Sequence, residues 1–242
     1  MDADMRGCFV TGTDTGVGKT VVAAAIVAAL RRRGVKVRAI KPVITGLDEA
    51  PDPKWPPDHV LLASAAGQDA AEVVLASYGP AVSPHLAAEL AGAPAPTLTW
   101  LADGVRAAAR SGAVTVVEGV GGLLVPLGPD ADVRGLAAAL GLPLVVAARP
   151  GLGTINHTLL TLEAARAAHL AVAGVVLTPW PQDPSVIQRS NRATIAARGF
   201  VEVATLGVVA RADPALLADA GAGLPLERWF GQGRSSAAPY SS

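Results

Sequence analysis

The chain has 242 residues, 51% of them hydrophobic but only three of them Phe, so one domain of α/β size with a core of Val, Leu, Ile and Ala is expected. Twenty basic residues balance twenty acidic ones, which excludes the electrostatic footprint of a general nucleic-acid binder. The one cysteine, Cys8, excludes an intramolecular disulfide and a multi-cysteine metal site, and in "CFVTG" it reads as a buried, inert thiol of a reducing cytoplasm. The opening "MDADMRG" lacks the apolar stretch of a secretory signal, and no run of about 18 uncharged apolar residues escapes a Gly or Pro break, so no membrane span is expected.

In chain order, residues 8 to 12 read as a short buried strand, followed by the glycine loop "GTDTGVGKT" (12 to 20). The next stretch, "TVVAAAIVAALRRR", has strong helix formers, cations in its last turn and Gly34 as a stop. "VKVRAI" gives a second strand ending at Lys41-Pro42, and the proline-rich, charged "LDEAPDPKWPPD" (47 to 58) a loop beside the site. Further apolar runs at 113 to 118, 142 to 148, 170 to 177 and 202 to 209 complete a set of about six strands. They are apolar on both faces and separated by alanine-rich helical segments at 133 to 140, 156 to 168 and 185 to 198. That alternation predicts a single α/β domain over residues 1 to 230, with a mostly parallel central sheet and helices on both faces. The small, polar "GQGRSSAAPYSS" (231 to 242) reads as a frayed tail.

Open parallel sheets bind ligands at the carboxyl ends of their strands, so polar residues just after each apolar run are the candidates. Gly18, Lys19 and Thr20 match the end of a phosphate-binding P-loop, although the leading glycine is Gly12 rather than residue 13. A strand before the loop and a helix after it favour a P-loop variant over a glycine-rich turn with a solvated lysine. Backbone N–H groups there make an anion site, Lys19 reaches the outer phosphates, and the Thr20 hydroxyl can ligate Mg²⁺. Glu118 ends "VTVVE" before Gly119, Val120 and Gly121, where a carboxylate can hold Mg²⁺ or simply be solvated. Asp58 begins a helix, and spacing favours a cap or first-turn acid. Lys41 can either snorkel to water or project into the site. Thr45 and Gly46 can complete a donor-bearing turn, and Gly153, Thr154 and Asn156 form a helix start suited to a carboxylate or to plain capping. His157 reads as structural, and His59, His85 and His169 are scattered, so no His-rich metal cluster is suggested.

Taken together, "VTGTDTGVGKT" (10 to 20), "KPVITG" (41 to 46), "SPH" (83 to 85), "VEGVGGLLVPL" (117 to 127) and "LGTINHTLLT" (152 to 161) resemble the dethiobiotin synthetase family, whose P-loop has the same displaced glycine. The resemblance implies a P-loop fold and an ATP-dependent ring closure of 7,8-diaminopelargonate with CO₂, giving dethiobiotin, ADP and phosphate. It implies that Lys19 binds phosphate and that Lys41 stabilises the carbamate and the transferring phosphoryl group. Thr15 and Thr45 match positions lining the substrate, and Thr20, Asp58 and Glu118 match the Mg²⁺-associated set. The nucleotide contacts carried over are Asp14, Thr15, Gly16, Val17, Gly18, Lys19 and Thr20, with Asp58, Glu118, Gly119, Val120, Gly121, Thr178, Pro179 and Val208. Gly153, Thr154, Ile155 and Asn156 match the segment that binds the substrate carboxylate from the neighbouring subunit, which implies a homodimer with composite sites.

Two positions depart from the family pattern. Gly16 stands where some relatives carry Glu, and Thr178-Pro179 stands where many carry Asn-Asp, whose Asn reads the adenine edge. Proline has no N–H and threonine cannot make a bidentate amide pair, so weak discrimination among nucleoside triphosphates is expected. Competing readings are a cobyrinate-type amidating ligase, which would need a glutamine-hydrolysing domain, and a partitioning ATPase switch. The latter typically has a second P-loop lysine where this chain has Asp14.

Overall fold

In the computed structural model, which describes residues 5–50, 52 and 54–230, strand and helix alternate along most of the chain. The elements are β1 (Gly7–Gly12), α1 (Lys19–Arg32), β2 (Val37–Ile44), α2 (Asp58–Ala66), β3 (Val74–Ser77), α3 (Pro84–Leu90), α4 (Leu98–Ala108), β4 (Val114–Gly122), β5 (Pro126–Gly128), β6 (Ala131–Asp132), α5 (Val133–Leu140), β7 (Leu144–Ala148), α6 (Thr154–Ala167), β8 (Val172–Trp180), α7 (Val186–Gly199), β9 (Val203–Gly207), α8 (Pro214–Gly221) and α9 (Leu226–Phe230). The tail expected over 231–242 lies outside the described residues.

Seven strands pair in the order β3-β2-β4-β1-β7-β8-β9, every pair parallel. Side chains alternate across the sheet as the pleat requires. Cys8 and Val10 of β1 face one side, packed with α1, α2, α8 and α9, whereas Phe9 faces the other with Leu101, Leu136 and Val105. A third cluster, around Val146, Leu162, Val175 and Ile195, seats α6 and α7 over β7 and β8. The alanine-rich stretch of α1 lets α8 approach closely: a Cβ built on Gly221 would lie 2.3 Å from the Ala25 carbonyl oxygen. The helix carrying the P-loop is therefore buried along most of its length, from Val22 to Leu30.

Several expected boundaries move. β2 runs past Lys41-Pro42 to Ile44, because its outer partner β3 pairs with Lys41, Val43 and Ile44. Proline is tolerated there because the missing N–H would point toward β4, whose pairing with β2 ends at Ile40. β4 likewise does not end at Glu118; it continues through the glycines, and Gly122 pairs with Gly12. β8 continues across Thr178 and Pro179 to Trp180. Helix α5 matches its expected limits, while α6 and α7 shift by one or two residues. Edge strand β3, the β5–β6 hairpin and helices α3, α4, α8 and α9 were not expected; β3 has only four residues, none of them buried.

Candidate active site

The P-loop leaves β1 at Gly12 and returns into α1 at Lys19. The displaced glycine has a steric reason: a Cβ on Gly12 would lie 2.7 Å from Val17 Cγ2 and 3.0 Å from Lys19 Cδ. Gly18 takes a φ of 91°, a left-handed conformation that a side chain strongly disfavours, so the first turn of α1 opens toward the loop with its N–H groups free for an anion. Lys19 is 7% exposed, and its Nζ donates to the Asp14 carbonyl oxygen at 2.9 Å. Burial pulls its pKa below the ordinary lysine value, against the attraction of Glu118.

Adjacent strands β2 and β4 bring Lys41 and Glu118 together, and the first turn of α2 adds Asp58. Lys41 Nζ lies 2.9 Å from Glu118 Oε1 and 3.0 Å from Asp58 Oδ2. Thr20 Oγ1 donates to the same Glu118 Oε1 at 2.8 Å. Lys41 and Glu118 are both buried, at 3% and 1% exposure. Burial disfavours the Lys41 charge, but Glu118 and Asp58 outweigh it and raise the ammonium's pKa above the ordinary range. For Asp58, burial acts upward and the Lys41 charge prevails, holding the carboxyl below its ordinary value. For Glu118 burial prevails over Lys41 and pushes the carboxyl up. Of the two expected local roles of Asp58, it is the first-turn acid of α2 but not its cap: Pro57 precedes the helix, no side chain caps it, and the carboxylate turns to Lys41.

These groups line one cleft of about 500 Å³ together with Thr15, Gly16, Gly18, Thr45, Val120 and Gly121. The proline-rich loop forms part of its wall through Asp52, Trp55 and Pro56. A groove of about 600 Å³ at the amino ends of β1 and β4, lined by Arg6, Arg106 and Arg110, contains none of the motif residues. Thr178 is buried, with its Cγ2 turned onto Gly18, while Val208 is exposed. Residues 153 to 156 do not line this chain's cleft. Gly153 precedes α6 with no side-chain cap, Thr154 is buried against Thr158, and Leu152 is 96% exposed. Asn191 of α7 fixes this corner by donating to the carbonyl oxygens of Pro150 and Gly151, both at 3.0 Å.

Sequence reasoning missed Trp55, Leu61 and Arg149. The Arg149 guanidinium donates to the Gly16 carbonyl oxygen at 3.1 Å, and its signal was a cation directly after the apolar run of β7. Cys8 is fully buried as expected, and burial pushes its thiol far above the ordinary value.

A parallel sheet with a glycine loop, an inward lysine and a strand-borne carboxylate toward the carboxyl ends of its central strands defines a P-loop nucleotide-binding protein. A family model described as an AAA domain matches residues 6–213. An ATP-dependent dethiobiotin synthetase of Mycobacterium sp. strain KMS is 44% identical over 211 residues, covering 87% of this chain and 91% of that protein. A second, from Anaeromyxobacter dehalogenans, is 46% identical over 184 residues, covering 75% and 81%. The chain belongs to the dethiobiotin synthetase family. Among solved structures, the ATP complex of a Cyanothece McdA variant aligns with a TM-score of 0.54 at 13% identity, covering 97% of this chain and all of that one, a likeness of fold alone.

Proposed function

We propose that the chain is an ATP-dependent dethiobiotin synthetase that carbamylates 7,8-diaminopelargonate with CO₂ and closes the cyclic urea. The observation that carries this reading is the meeting of Lys19, Lys41, Thr20, Asp58 and Glu118 in one cleft with Thr15 and Thr45. In the reaction, a carbamate oxygen attacks the γ-phosphorus and releases ADP. The second amine then attacks the carbonyl of the resulting mixed anhydride, and phosphate leaves. Every intermediate is an anion beside other anions, so the need is for positive charge placed before reaction begins. The P-loop amides and Lys19 receive the triphosphate, Lys41 faces the carbamate and transferring phosphoryl group, and Thr15 and Thr45 orient the diamine.

The oxygens of Thr20, Asp58 and Glu118 fit a Mg²⁺ ion. Glu118 Oε2 is buried with no hydrogen-bond partner among the described residues, and a cation would satisfy it. Among the described residues no three His, Cys, Asp or Glu side chains cluster as a self-sufficient metal site, which suits an ion that shares its shell with phosphates and water. Bound there, Mg²⁺ would withdraw charge from the phosphoryl oxygens.

The site is proposed to be completed by the Gly153, Thr154, Ile155 and Asn156 corner of a second copy. Exposed Leu152, Leu160, Val186 and Ile187 on and beside α6 and α7 support a covered face. Sedimentation of the nucleotide-free protein is expected to give a dimer; monomers that pair only with ATP would favour a switch. We place the enzyme in the cytoplasm, consistent with its single inert thiol; among the described residues no helix is long and apolar enough to cross a membrane.

Phosphate release with ATP, Mg²⁺ and bicarbonate is expected to depend on the diamine and to yield a product in which one carbonyl replaces two hydrogens. Release indifferent to the diamine rejects the ligase reading. Thr178 packs against Gly18 rather than presenting an amide, so other nucleoside triphosphates are expected to support turnover within about tenfold of ATP, a pocket without paired polar readout discriminating weakly. A strict preference for ATP across a panel of triphosphates would refute weak base reading.

A further inference from the structure

We propose that Lys41 is the resting occupant of the cation position, and that the divalent ion must displace its ammonium before the site can react. This rests on the metal reading above. The ammonium lies 2.9 Å from Glu118 Oε1 and 3.0 Å from Asp58 Oδ2, joining both carboxylates assigned to the ion. The third assigned oxygen, Thr20 Oγ1, is bonded to that same Glu118 Oε1 at 2.8 Å. One oxygen of each carboxylate proposed for the ion therefore lies against Lys41 Nζ, and Thr20 Oγ1 is tied to the same Glu118 oxygen.

The physical reason for such a plug lies in the carboxylates. Glu118 is buried, and without a cation it and Asp58 would share one place as uncompensated like charges. Lys41, fixed on β2 beside β4, supplies the compensation from within the chain. An ion that bridges the two carboxylates, taking Glu118 Oε1 and Asp58 Oδ2 along with the unpartnered Glu118 Oε2, takes the oxygens the ammonium now holds, and the two cations repel each other at that range. Displacement then frees the ammonium within the cleft that also contains Thr15 and Thr45. The ion itself thus releases the lysine, which orders metal loading before phosphoryl transfer.

The test is a Mn²⁺ titration followed by electron paramagnetic resonance, on the whole chain without nucleotide. Lys41→Met is expected to bind Mn²⁺ more tightly than the unaltered protein by at least about tenfold, since a competing cation has been removed. Equal or weaker binding by a variant whose circular dichroism spectrum and cooperative melting show it to be folded at the titration temperature overturns the proposal. Because that variant can fail to fold, the unaltered protein is also crystallised with Mn²⁺ and a non-hydrolysable ATP analogue, and the ion is located by anomalous scattering. An ion between Asp58 and Glu118, with Lys41 Nζ withdrawn from Glu118, is expected. An ion there with both ammonium contacts retained overturns the proposal. Nucleotide bound with no ion at that place removes the metal reading and this inference with it. An ion with the lysine displaced, in a protein inactive toward the diamine, upholds the inference and rejects only the ligase reading.

Discussion

Turnover of Lys41→Gln is expected to fall by roughly 10³-fold while nucleotide affinity stays within a few-fold, the pattern of a charge that acts on the developing anion rather than on the bound ground state. Lys41 is not a loop residue that neighbours could replace; it is held inside β2 with its Nζ against Glu118 and Asp58. Glutamine keeps a donor for one carboxylate but supplies no charge. The same change leaves Glu118 buried without its counter-charge, and breaking a buried pair in this way costs about 3–5 kcal/mol. Stability must therefore be measured beside kinetics, by denaturant midpoint with and without Mg²⁺ and ATP. A folded variant with near-normal turnover removes Lys41 from the mechanism.

Lys19→Gln should behave differently, losing affinity as well as rate. Among the described residues its ammonium has only the Asp14 carbonyl oxygen as a hydrogen-bond partner, at 2.9 Å, so an incoming phosphate replaces a neutral acceptor with a charged one. Triphosphate affinity is expected to fall by about tenfold or more and kcat by about 10²-fold or more. Calorimetric titration with ATP and Mg²⁺, set beside steady-state rates, separates the two losses. Unchanged affinity would argue that the loop does not receive the triphosphate. The contrast between the two lysines is informative because they line the same cleft and differ in what they touch: Lys19 lies across the phosphate loop, Lys41 between carboxylates.

Much of the arrangement was legible in the chain because a strand that is apolar on both faces must be covered on both, and the alternating helical segments supply that cover. The P-loop could be read despite its displaced glycine, since Lys19 and Thr20 kept their places at a strand-to-helix junction. What could not be read was direction. Lys41 and Glu118 each sat at the apparent end of an apolar run, where a charged side chain can turn to water or inward. Only the pairing of β2 with β4 decides that both turn inward. Asp58 is the helix-start acid its spacing implies, but local spacing carries no information about its second partner, a lysine 17 positions earlier. β3 was missed since an edge strand of four partly exposed residues has neither the length nor the apolarity of its neighbours. Arg149 escaped because a guanidinium that meets a backbone carbonyl depends on the loop's path, not on the type of residue it meets.

The grip of Asn191 on the carbonyls of Pro150 and Gly151 also bears on how two copies would live together. That corner is braced from α7 by contacts within the chain, and Arg149 beside it is tied to the phosphate loop through the Gly16 carbonyl oxygen, so its outline needs no triphosphate to form. On the proposed dimer, the surface offered to the neighbour is then permanent masonry rather than a signal raised and lowered with each turnover. On that proposal, partnership would be a condition of the resting enzyme, and repeated cycles of catalysis would proceed without parting the pair.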